Sequence, residues 1–383
     1  MRIGILTYHR ARNYGAFVQA YALQQQLTRV FPEIDFEIID FEYLNSFVRK
    51  KTDCLKLFLK LRFEKIADLL AIDMAFAKEY KKLPLSKRMI SGNTKKVLEI
   101  IEKKYDYVII GSDAVFNWQL DPIPNVYFFN DSRCNHITYA ASAHLNKYRT
   151  ATDEQSKYVC ESLEKMKYIG VRDEETARFV KHFNPNCETF HNCDPTVVLD
   201  MNYSVPSLKK KMEKAGISQD DKIIILMLKK DVYGKYIREA FGDKYKIVSV
   251  RKRNPFADVF LRDLTPLEWS KVFECAKLTV TDFFHGSLLS LKNGTPVVSI
   301  DTSGYTDYES KAKDLFFTRL NLPEMFFDMN GEENTREHFI EKCKNLLESD
   351  CCDSIAGALE KESESFVDFC RAFGTLLENR NEK

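Results

Sequence analysis

Short apolar runs alternate with stretches of helical periodicity in the first half of the chain. The runs, with their flanking residues, are RIGILT (2–7), FEIID (36–40), YDYVIIGSD (105–113), HITYAAS (136–142) and KYIGVRD (167–173). The first run is followed by a stretch of helical spacing from about Gly15 to Val30. Strands that are separated by helices predict a parallel sheet with helices on both faces.

A second series of apolar runs begins after residue 200. Its members are KIIILML (222–228), YKIVSV (245–250), KLTVT (277–281) and PVVSID (296–301), with helical patterns between them. The fold class is therefore predicted to be α/β, with two Rossmann-like doubly wound domains that face a cleft. We expect an N-terminal domain over 1–195, a C-terminal domain over 196–330, and helices over 331–383 that pack back across the domains. A chain of 383 residues is also too long for one ordinary core.

A helical insertion is predicted at about 45–100 within the first domain. Its segment CLKLFLKLRFEKIADLLAIDMAFAKEY (54–80) alternates Lys with Leu and Phe. Such a pattern is typical either of a face that packs on a core or of a surface for a membrane-bound partner. Core packing is the favoured interpretation.

Composition and charge narrow the class further. Hydrophobic residues make up 44% and charged residues 30%, and no apolar run approaches the roughly 18 residues that a bilayer span needs. Met1 leads directly into a strand pattern, so we expect no secretory leader. A net charge of +1 argues against a nucleic-acid partner but allows a local basic pocket. The ten cysteines show no CxxC or Cys/His spacing, which favours reduced thiols in a cytoplasmic protein and no structural metal.

Polar residues follow the predicted strands, where ligands of parallel sheets bind. The first strand is followed by Arg10, Arg12, Asn13, Tyr14 and Gly15, and later strands by Ser112, Asp113, Ser142, His144, Arg172, Asp173, Asp282, His285, Gly286 and Ser287. Structural interpretations stay open: Asn13, Asp113 and Asp173 as helix caps, Arg172 as the partner of a nearby acid, and His285 as a buried structural residue. The convergence of these residues favours a binding role.

Five motifs together resemble the polysaccharide pyruvyl transferase family. They are NYGAFVQAYALQQQL, DYVIIGSDAVFNW, ITYAASAH, IGVRDEETARF and TDFFHGSLLSLKNGTPVVSID, in order and spacing over residues 3 to about 323. The resemblance implies a two-domain fold of the GT-B type and transfer of a pyruvyl group from phosphoenolpyruvate to sugar hydroxyls. The product would be a pyruvate ketal on a cell-surface polysaccharide precursor. It implies no cofactor beyond phosphoenolpyruvate as donor, and a lipid-linked or nucleotide-linked saccharide acceptor at the inner face of the membrane.

The resemblance also implies roles for single residues. Arg172 and His285 would belong to the donor site, and Asp113 matches an acidic position of the same cleft. The chemistry is compatible, because a guanidinium binds carboxylate or phosphate with two hydrogen bonds. We also expect the amides of Gly286 and Ser287 to bind phosphate at the N-terminus of a helix. His285 and Asp113 are candidates for proton transfer, and which is the acid and which the base stays open.

One position departs from the family pattern. Many members have a basic or hydroxyl residue two places before the histidine, where this chain has Phe283. Either other groups hold the donor, with Arg10, Arg12 and Lys229 as candidates, or donor binding is weakened. Two further functions stay open: a GT-B glycosyltransferase that uses a nucleotide sugar, and a catalytically silent homologue that binds sugars or anions, which Phe283 favours.

Overall fold

The chain folds into two compact units. The computed structural model describes residues 1–43, 63–130, 132–144, 146–302, 310–331 and 334–381. Unit 1 comprises Met1–Phe63, Lys81–Leu199 and Ser363–Lys383, and unit 2 comprises Glu64–Tyr80 and Asp200–Glu362. The predicted boundary at 195/196 lies close to this division. The predicted insertion and the predicted tail are each divided between the two units.

Twelve strands are present in the described part of the chain. They are β1 (Arg2–Leu6), β2 (Asp35–Ile38), β3 (Tyr107–Ile110), β4 (Asn135–Ala141), β5 (Ile169–Val171), β6 (Phe190–His191), β7 (Ile223–Met227), β8 (Lys246–Val250), β9 (Val259–Leu261), β10 (Ala276–Thr281), β11 (Val297–Asp301) and β12 (Phe326–Asp328).

The longer α-helices of the described residues lie between these strands and at the C-terminal end. They are α1 (Tyr14–Val30), α2 (Phe63–Tyr80), α3 (Thr94–Glu102), α4 (Asp153–Lys165), α5 (Glu174–Phe183), α6 (Pro206–Lys214), α7 (Val232–Phe241), α8 (Pro266–Val272), α9 (Phe284–Lys292), α10 (Arg336–Glu348) and α11 (Cys352–Asn381).

Unit 1 is built on a six-stranded parallel sheet in the order β2-β1-β3-β4-β5-β6. Ile3, Ile5 and Ile109 are fully buried, because helices cover both faces of such a sheet. The strand order reverses direction between β1 and β3. In open α/β sheets the crevice at such a switch point, outside the carboxyl ends of the strands, is where ligands bind.

Unit 2 has a second parallel sheet in the order β12-β11-β10-β7-β8-β9. Viewed from the other edge this is the 3-2-1-4-5-6 order of a Rossmann domain, and its switch point lies between β7 and β10. The prediction of two doubly wound Rossmann-like domains is therefore confirmed.

Each of the nine apolar runs overlaps one observed strand, and the structure adds β6, β9 and β12. These three are only two or three residues long, and each lies at an edge of its sheet. These three edge strands are so short that they lack the continuous apolar run that marks a buried strand.

Helix α2 is the described part of the predicted insertion that belongs to unit 2. Ala75 and Phe76 are buried, whereas Leu70 and Met74 are exposed. The helix also forms an ion pair between Asp68 and Arg262, 3.7 Å apart. Residues 44–62, which include the Lys/Leu/Phe-rich start of the segment, lie outside the described residues. Among the helices that are described, none has the length and apolar character needed to cross a bilayer.

Candidate functional site

The switch point of unit 1 brings the ends of β1 and β3 together. Thr7 Oγ1, just after β1, donates a hydrogen bond to the carbonyl oxygen of Ser112, just after β3, over 3.1 Å. The hydroxyl oxygen of Ser112 is buried, and no described residue hydrogen-bonds to it. Asp113 follows with φ +82°, a left-handed conformation that non-glycine residues seldom adopt and that clusters at functional sites.

Gly111 lies where the turn after β3 passes close to the backbone of β4. Its φ is +121°, and a Cβ built there would lie 2.2 Å from the carbonyl oxygen of Tyr139 on β4. Only glycine is compatible with both conditions. The half-buried carboxylate of Asp113 accepts a hydrogen bond from the amide of Ala114 over 2.8 Å. Asp113 is thus held at the carboxyl edge of the sheet, as the sequence places it, and its role in proton transfer stays a prediction.

Asn13 and its neighbours begin helix α1 at the same switch point. Asn13 is the N-cap, and its side chain accepts a hydrogen bond from the amide of Gly15 over 3.1 Å. Tyr14 and Gly15 are buried. The capping interpretation is therefore confirmed for Asn13, and the binding roles of Asn13, Tyr14 and Gly15 stay predictions.

Arg10 is engaged with an acid inside unit 1. Its Nε and Nη2 donate to the two carboxylate oxygens of Asp40, each over 2.7 Å, and His9 Nε2 lies 3.1 Å from the same carboxylate. Burial opposes ionisation, but the hydrogen bonds from His9 and Arg10 lower the pKa of Asp40 to about 2. A donor anion at Arg10 would have to compete with this pair. Arg12 lies half-buried in the same turn, and its binding role stays a prediction.

Arg172 is buried and forms an ion pair. Its Nη1 donates to Asp194 Oδ2 over 2.8 Å, and Gln19 Nε2 from α1 donates to the same oxygen over 2.5 Å. Burial lowers the pKa of Arg172, but the charges of Asp194, Asp113 and Asp173 outweigh burial and raise it, so the guanidinium stays charged. The interpretation of Arg172 as the partner of a nearby acid is therefore confirmed, and its binding role stays a prediction.

Asp173 caps α5 and fixes the loop after β4. Its Oδ1 accepts from the amide of Thr176 over 2.9 Å, and its Oδ2 accepts from the buried hydroxyl of Ser142 over 2.8 Å. The amide of His144 donates to that same hydroxyl over 3.3 Å. These contacts position the strand ends of β4 and β5 around Arg172.

In unit 2 the predicted histidine lies in the first turn of a helix at the switch point. Helix α9 begins at Phe284, directly after the N-cap Phe283, which supplies no side-chain cap, and His285 is half-buried. The amide of Ser287 donates to the carbonyl of Phe283 over 3.1 Å, and its hydroxyl donates to Ser299 over 2.8 Å. The expectation that the Ser287 amide is open to a phosphate is therefore wrong, because the helix begins one residue earlier than that role requires.

Gly286 lets α9 approach the sheet. A Cβ at this position would lie 2.6 Å from Thr281 Oγ1 and 3.0 Å from Met227 Sδ. The glycine of the HG motif is thus explained by close packing of the helix on β7 and β10. Its binding role through the backbone amide stays a prediction.

Two basic side chains flank the ring of Phe283. Lys229 Nζ, just after β7, lies 4.8 Å from the ring centroid, and Arg251 Cζ, just after β8, lies 4.6 Å from it. Arg251 has φ +64°. Asp282 accepts from the backbone amide of Lys229 at 2.8 Å, and burial raises the pKa of this carboxyl. Two positively charged side chains therefore lie beside Phe283, although the motif around His285 has no basic residue at that position.

Several residues of these clusters escape sequence reasoning. Asp194 follows β6, a strand too short to be recognised, and Gln19 lies inside a helix whose apolar pattern gives no sign of a buried polar contact. Arg251 directly follows the predicted strand YKIVSV, so a search for polar residues after predicted strands could have found it. Within the described residues, no group of three or more His, Cys, Asp or Glu side chains is arranged to hold a metal ion.

Comparison with known proteins identifies relatives of the sequence and of the fold. The model of the polysaccharide pyruvyl transferase family matches residues 13–304. No curated protein matches the chain.

Solved structures with a similar fold include three enzymes of one activity. A putative UDP-N-acetylglucosamine 2-epimerase from Listeria monocytogenes is 12% identical with a TM-score of 0.57, over 99% of this chain and 97% of that one. UDP-GlcNAc 2-epimerase from Methanocaldococcus jannaschii is 13% identical with a TM-score of 0.56, over 96% and 99%. The enzyme from Neisseria meningitidis, bound to UDP-GlcNAc, is 12% identical with a TM-score of 0.54, over 96% and 100%. At these identities the likeness shows the fold, in agreement with the GT-B-like class predicted.

Proposed function

Because the chain belongs to the polysaccharide pyruvyl transferase family, we propose that it transfers the pyruvyl group of phosphoenolpyruvate to saccharide hydroxyls and forms a pyruvate ketal. The observation on which this proposal rests is the family match over residues 13–304. The fold likeness to enzymes of UDP-GlcNAc does not by itself transfer their activity, because one fold serves many reactions.

The reaction balances without an oxidant, a reductant or a metal. Two hydroxyl oxygens of the acceptor each form a bond to C2 of phosphoenolpyruvate, and the bond between C2 and the phosphate oxygen breaks. The two hydroxyls lose one proton each. This loss is balanced in part by one proton that is added to the methylene carbon C3, which becomes a methyl group. The other proton leaves with inorganic phosphate. The protein therefore has to bind a compact polyanion, protonate one carbon and deprotonate hydroxyls.

The polar groups at the strand ends suit these tasks. His285 in the first turn of α9 is a candidate for proton transfer, since an imidazole changes protonation near neutral pH. Asp113 has a half-buried carboxylate that is suited to accept a hydroxyl proton. The basic side chains of Lys229 and Arg251 in unit 2 are suited to the donor anion.

A nucleotide-sugar glycosyltransferase is the second candidate. It is favoured by one observation, the Rossmann strand order of unit 2 with basic side chains at its switch point, which would also suit a diphosphate. The two candidates differ in the leaving group: inorganic phosphate from phosphoenolpyruvate in one case, a nucleoside diphosphate in the other.

The transfer assay uses the full chain with phosphoenolpyruvate and a panel of saccharides, free and nucleotide-linked. Released phosphate is measured together with the methyl resonance of the ketal product. We expect phosphate release that depends on a saccharide with two neighbouring hydroxyls, and loss of the cyclic product when one of those hydroxyls is methylated. Release of nucleoside diphosphate from a sugar nucleotide, without phosphate release from phosphoenolpyruvate, would contradict the proposal.

A further inference from the structure

We infer that Lys229 and Arg251, held on the two neighbouring strand ends around Phe283, form the phosphoryl-binding site of unit 2. The inference rests on the proposed function for the identity of the ligand, a donor with a phosphoryl group. It assigns the positive charge that binds the phosphoryl group to residues outside the motif that contains His285.

The topology places these residues where a ligand is expected. Lys229 follows β7 and Phe283 follows β10, and the reversal of strand order in unit 2 lies between these two strands. Arg251 follows β8, the strand on the other side of β7. Three adjacent strand ends therefore converge on one aromatic ring at the carboxyl edge of the sheet.

The charges of the two cations reinforce one another. Both lie within 5 Å of the same ring centroid, so they are separated by no more than roughly one Debye length, about 10 Å in 0.1 M salt. Among the residues that the structure describes, Lys229 forms no salt bridge, and the carboxylate of Asp282 accepts hydrogen bonds from its backbone amide. Two cations gathered on one ring create a local positive potential that a dianion would neutralise.

Neighbouring basic residues have acidic partners of their own. Lys252 lies 3.8 Å from Asp231, and Arg253 lies 3.2 Å from Glu64 on α2. The uncapped first turn of α9 begins directly after Phe283, and its amide dipoles add partial positive charge at the same place. The Phe283 ring thus acts as a platform that holds the two cations, in place of a charged side chain at that position.

The site is tested by calorimetric titration of the full chain with phosphoenolpyruvate, inorganic phosphate and UDP. The variants are Lys229→Met and Arg251→Met, and the matched control is Lys222→Met, an exposed lysine at the opposite, amino end of β7. We expect the affinity for phosphoenolpyruvate to fall about tenfold to a hundredfold in each of the two variants and by less than about twofold in the control. Thermal melting of each preparation verifies the fold, and the neutral variant Arg251→Gln replaces Arg251→Met if the latter does not fold.

A double variant that moves the positive charge from position 229 to position 283 tests whether affinity for phosphoenolpyruvate can be restored. In Lys229→Met the further substitution Phe283→Arg returns a cation to the same place from β10, and we expect it to restore most of the lost affinity. Unchanged affinity for phosphoenolpyruvate in both single variants would overturn the inference while leaving the proposed function intact. Binding of UDP but not phosphoenolpyruvate, lost in the same variants, would support the phosphoryl site and contradict the proposed function. Absence of binding by all three anions to the parent chain would overturn the inference.

Discussion

Polar residues at the strand ends of unit 1 form hydrogen bonds and ion pairs with one another. Arg10 is paired with Asp40, Arg172 with Asp194, and Asp173 with the hydroxyl of Ser142. Such pairs hold the polar groups of a crevice in defined positions, because a buried charge without a partner is costly.

The ion pair of Arg172 gives a prediction about stability. We expect Arg172→Met to lower the free energy of unfolding by about 3 to 5 kcal/mol, because it leaves the buried carboxylate of Asp194 without its counter-charge. The double variant Arg172→Met with Asp194→Asn should recover much of that loss. Urea unfolding of the two variants and the parent measures the coupling. Near-parent stability of the single variant would show that the pair does not support the fold.

Donor binding by the same double variant separates the two roles of Arg172. If the guanidinium also contacts the donor, phosphoenolpyruvate affinity stays reduced although the fold is restored. If the residue only supports the fold, affinity returns with stability.

His285 gives the prediction about chemistry. We expect His285→Asn to retain the fold and much of the donor affinity, while turnover falls about a hundredfold to ten-thousandfold, the range typical of a general acid or base. Phosphate release and the melting transition are measured on one preparation, with His182→Asn, an exposed histidine of α5, as the control. Near-normal turnover of a well-folded His285→Asn enzyme would exclude proton transfer by this side chain.

At the scale of elements, the turn after β3 depends on Gly111. We expect Gly111→Ala to lower the free energy of unfolding by about 2 to 4 kcal/mol, because it combines a left-handed φ with a Cβ 2.2 Å from a β4 carbonyl. The matched control is Gly216→Ala, which has φ +78° and nothing within 4 Å of the added Cβ, and should cost about 1 kcal/mol. Equal losses in the two variants, measured by urea unfolding, would exclude the contact with Tyr139 as the cause.

Elements were predictable where hydrophobic burial alone determines them. Eight central strands and the edge strand β2 are marked by apolar runs, so all nine were predictable, while the two- and three-residue edge strands β6, β9 and β12 left no pattern. Helix starts were less certain. The N-cap of α9 is Phe283, a residue type that is a poor cap, so the helix was predictable from the sequence but its first residue was not.

Pairings across the sheet were not predictable from a single sequence. Arg10 and Asp40 are brought together by β1 and β2, and Asp194 reaches Arg172 from beyond a two-residue strand. The residue types at strand ends were visible, but their partners depend on register and strand order. The same holds for Arg251, which meets Phe283 only because β8, β7 and β10 are neighbours.

At the scale of the molecule, a buried histidine predicts sensitivity to acid. His136 is 2% exposed, its Nδ1 lies 3.0 Å from the carbonyl oxygen of Cys134, and burial lowers its pKa to about 4. An unfolded histidine titrates near 6.5, so between pH 6.5 and 4 the unfolded chain binds a proton that the folded chain does not. The contribution of His136 to stability is therefore full above pH 6.5 and falls by about 3 kcal/mol as the pH drops to 4.

Urea unfolding at pH 7 and pH 4.5 measures this loss. His136→Gln should flatten the dependence on pH, whereas the exposed-residue variant His182→Gln should retain it. The same pH dependence in His136→Gln and the parent would assign the acid sensitivity to other groups.

The proposed function is tested most directly by donor binding, because this measurement requires no knowledge of the acceptor. The full chain is titrated calorimetrically with phosphoenolpyruvate and, under identical conditions, with UDP-GlcNAc. We expect saturable binding of phosphoenolpyruvate in the range of about 1 μM to 1 mM, as is usual for an enzyme substrate, with competition by inorganic phosphate, the product. Binding of UDP-GlcNAc with no detectable binding of phosphoenolpyruvate would contradict pyruvyl transfer.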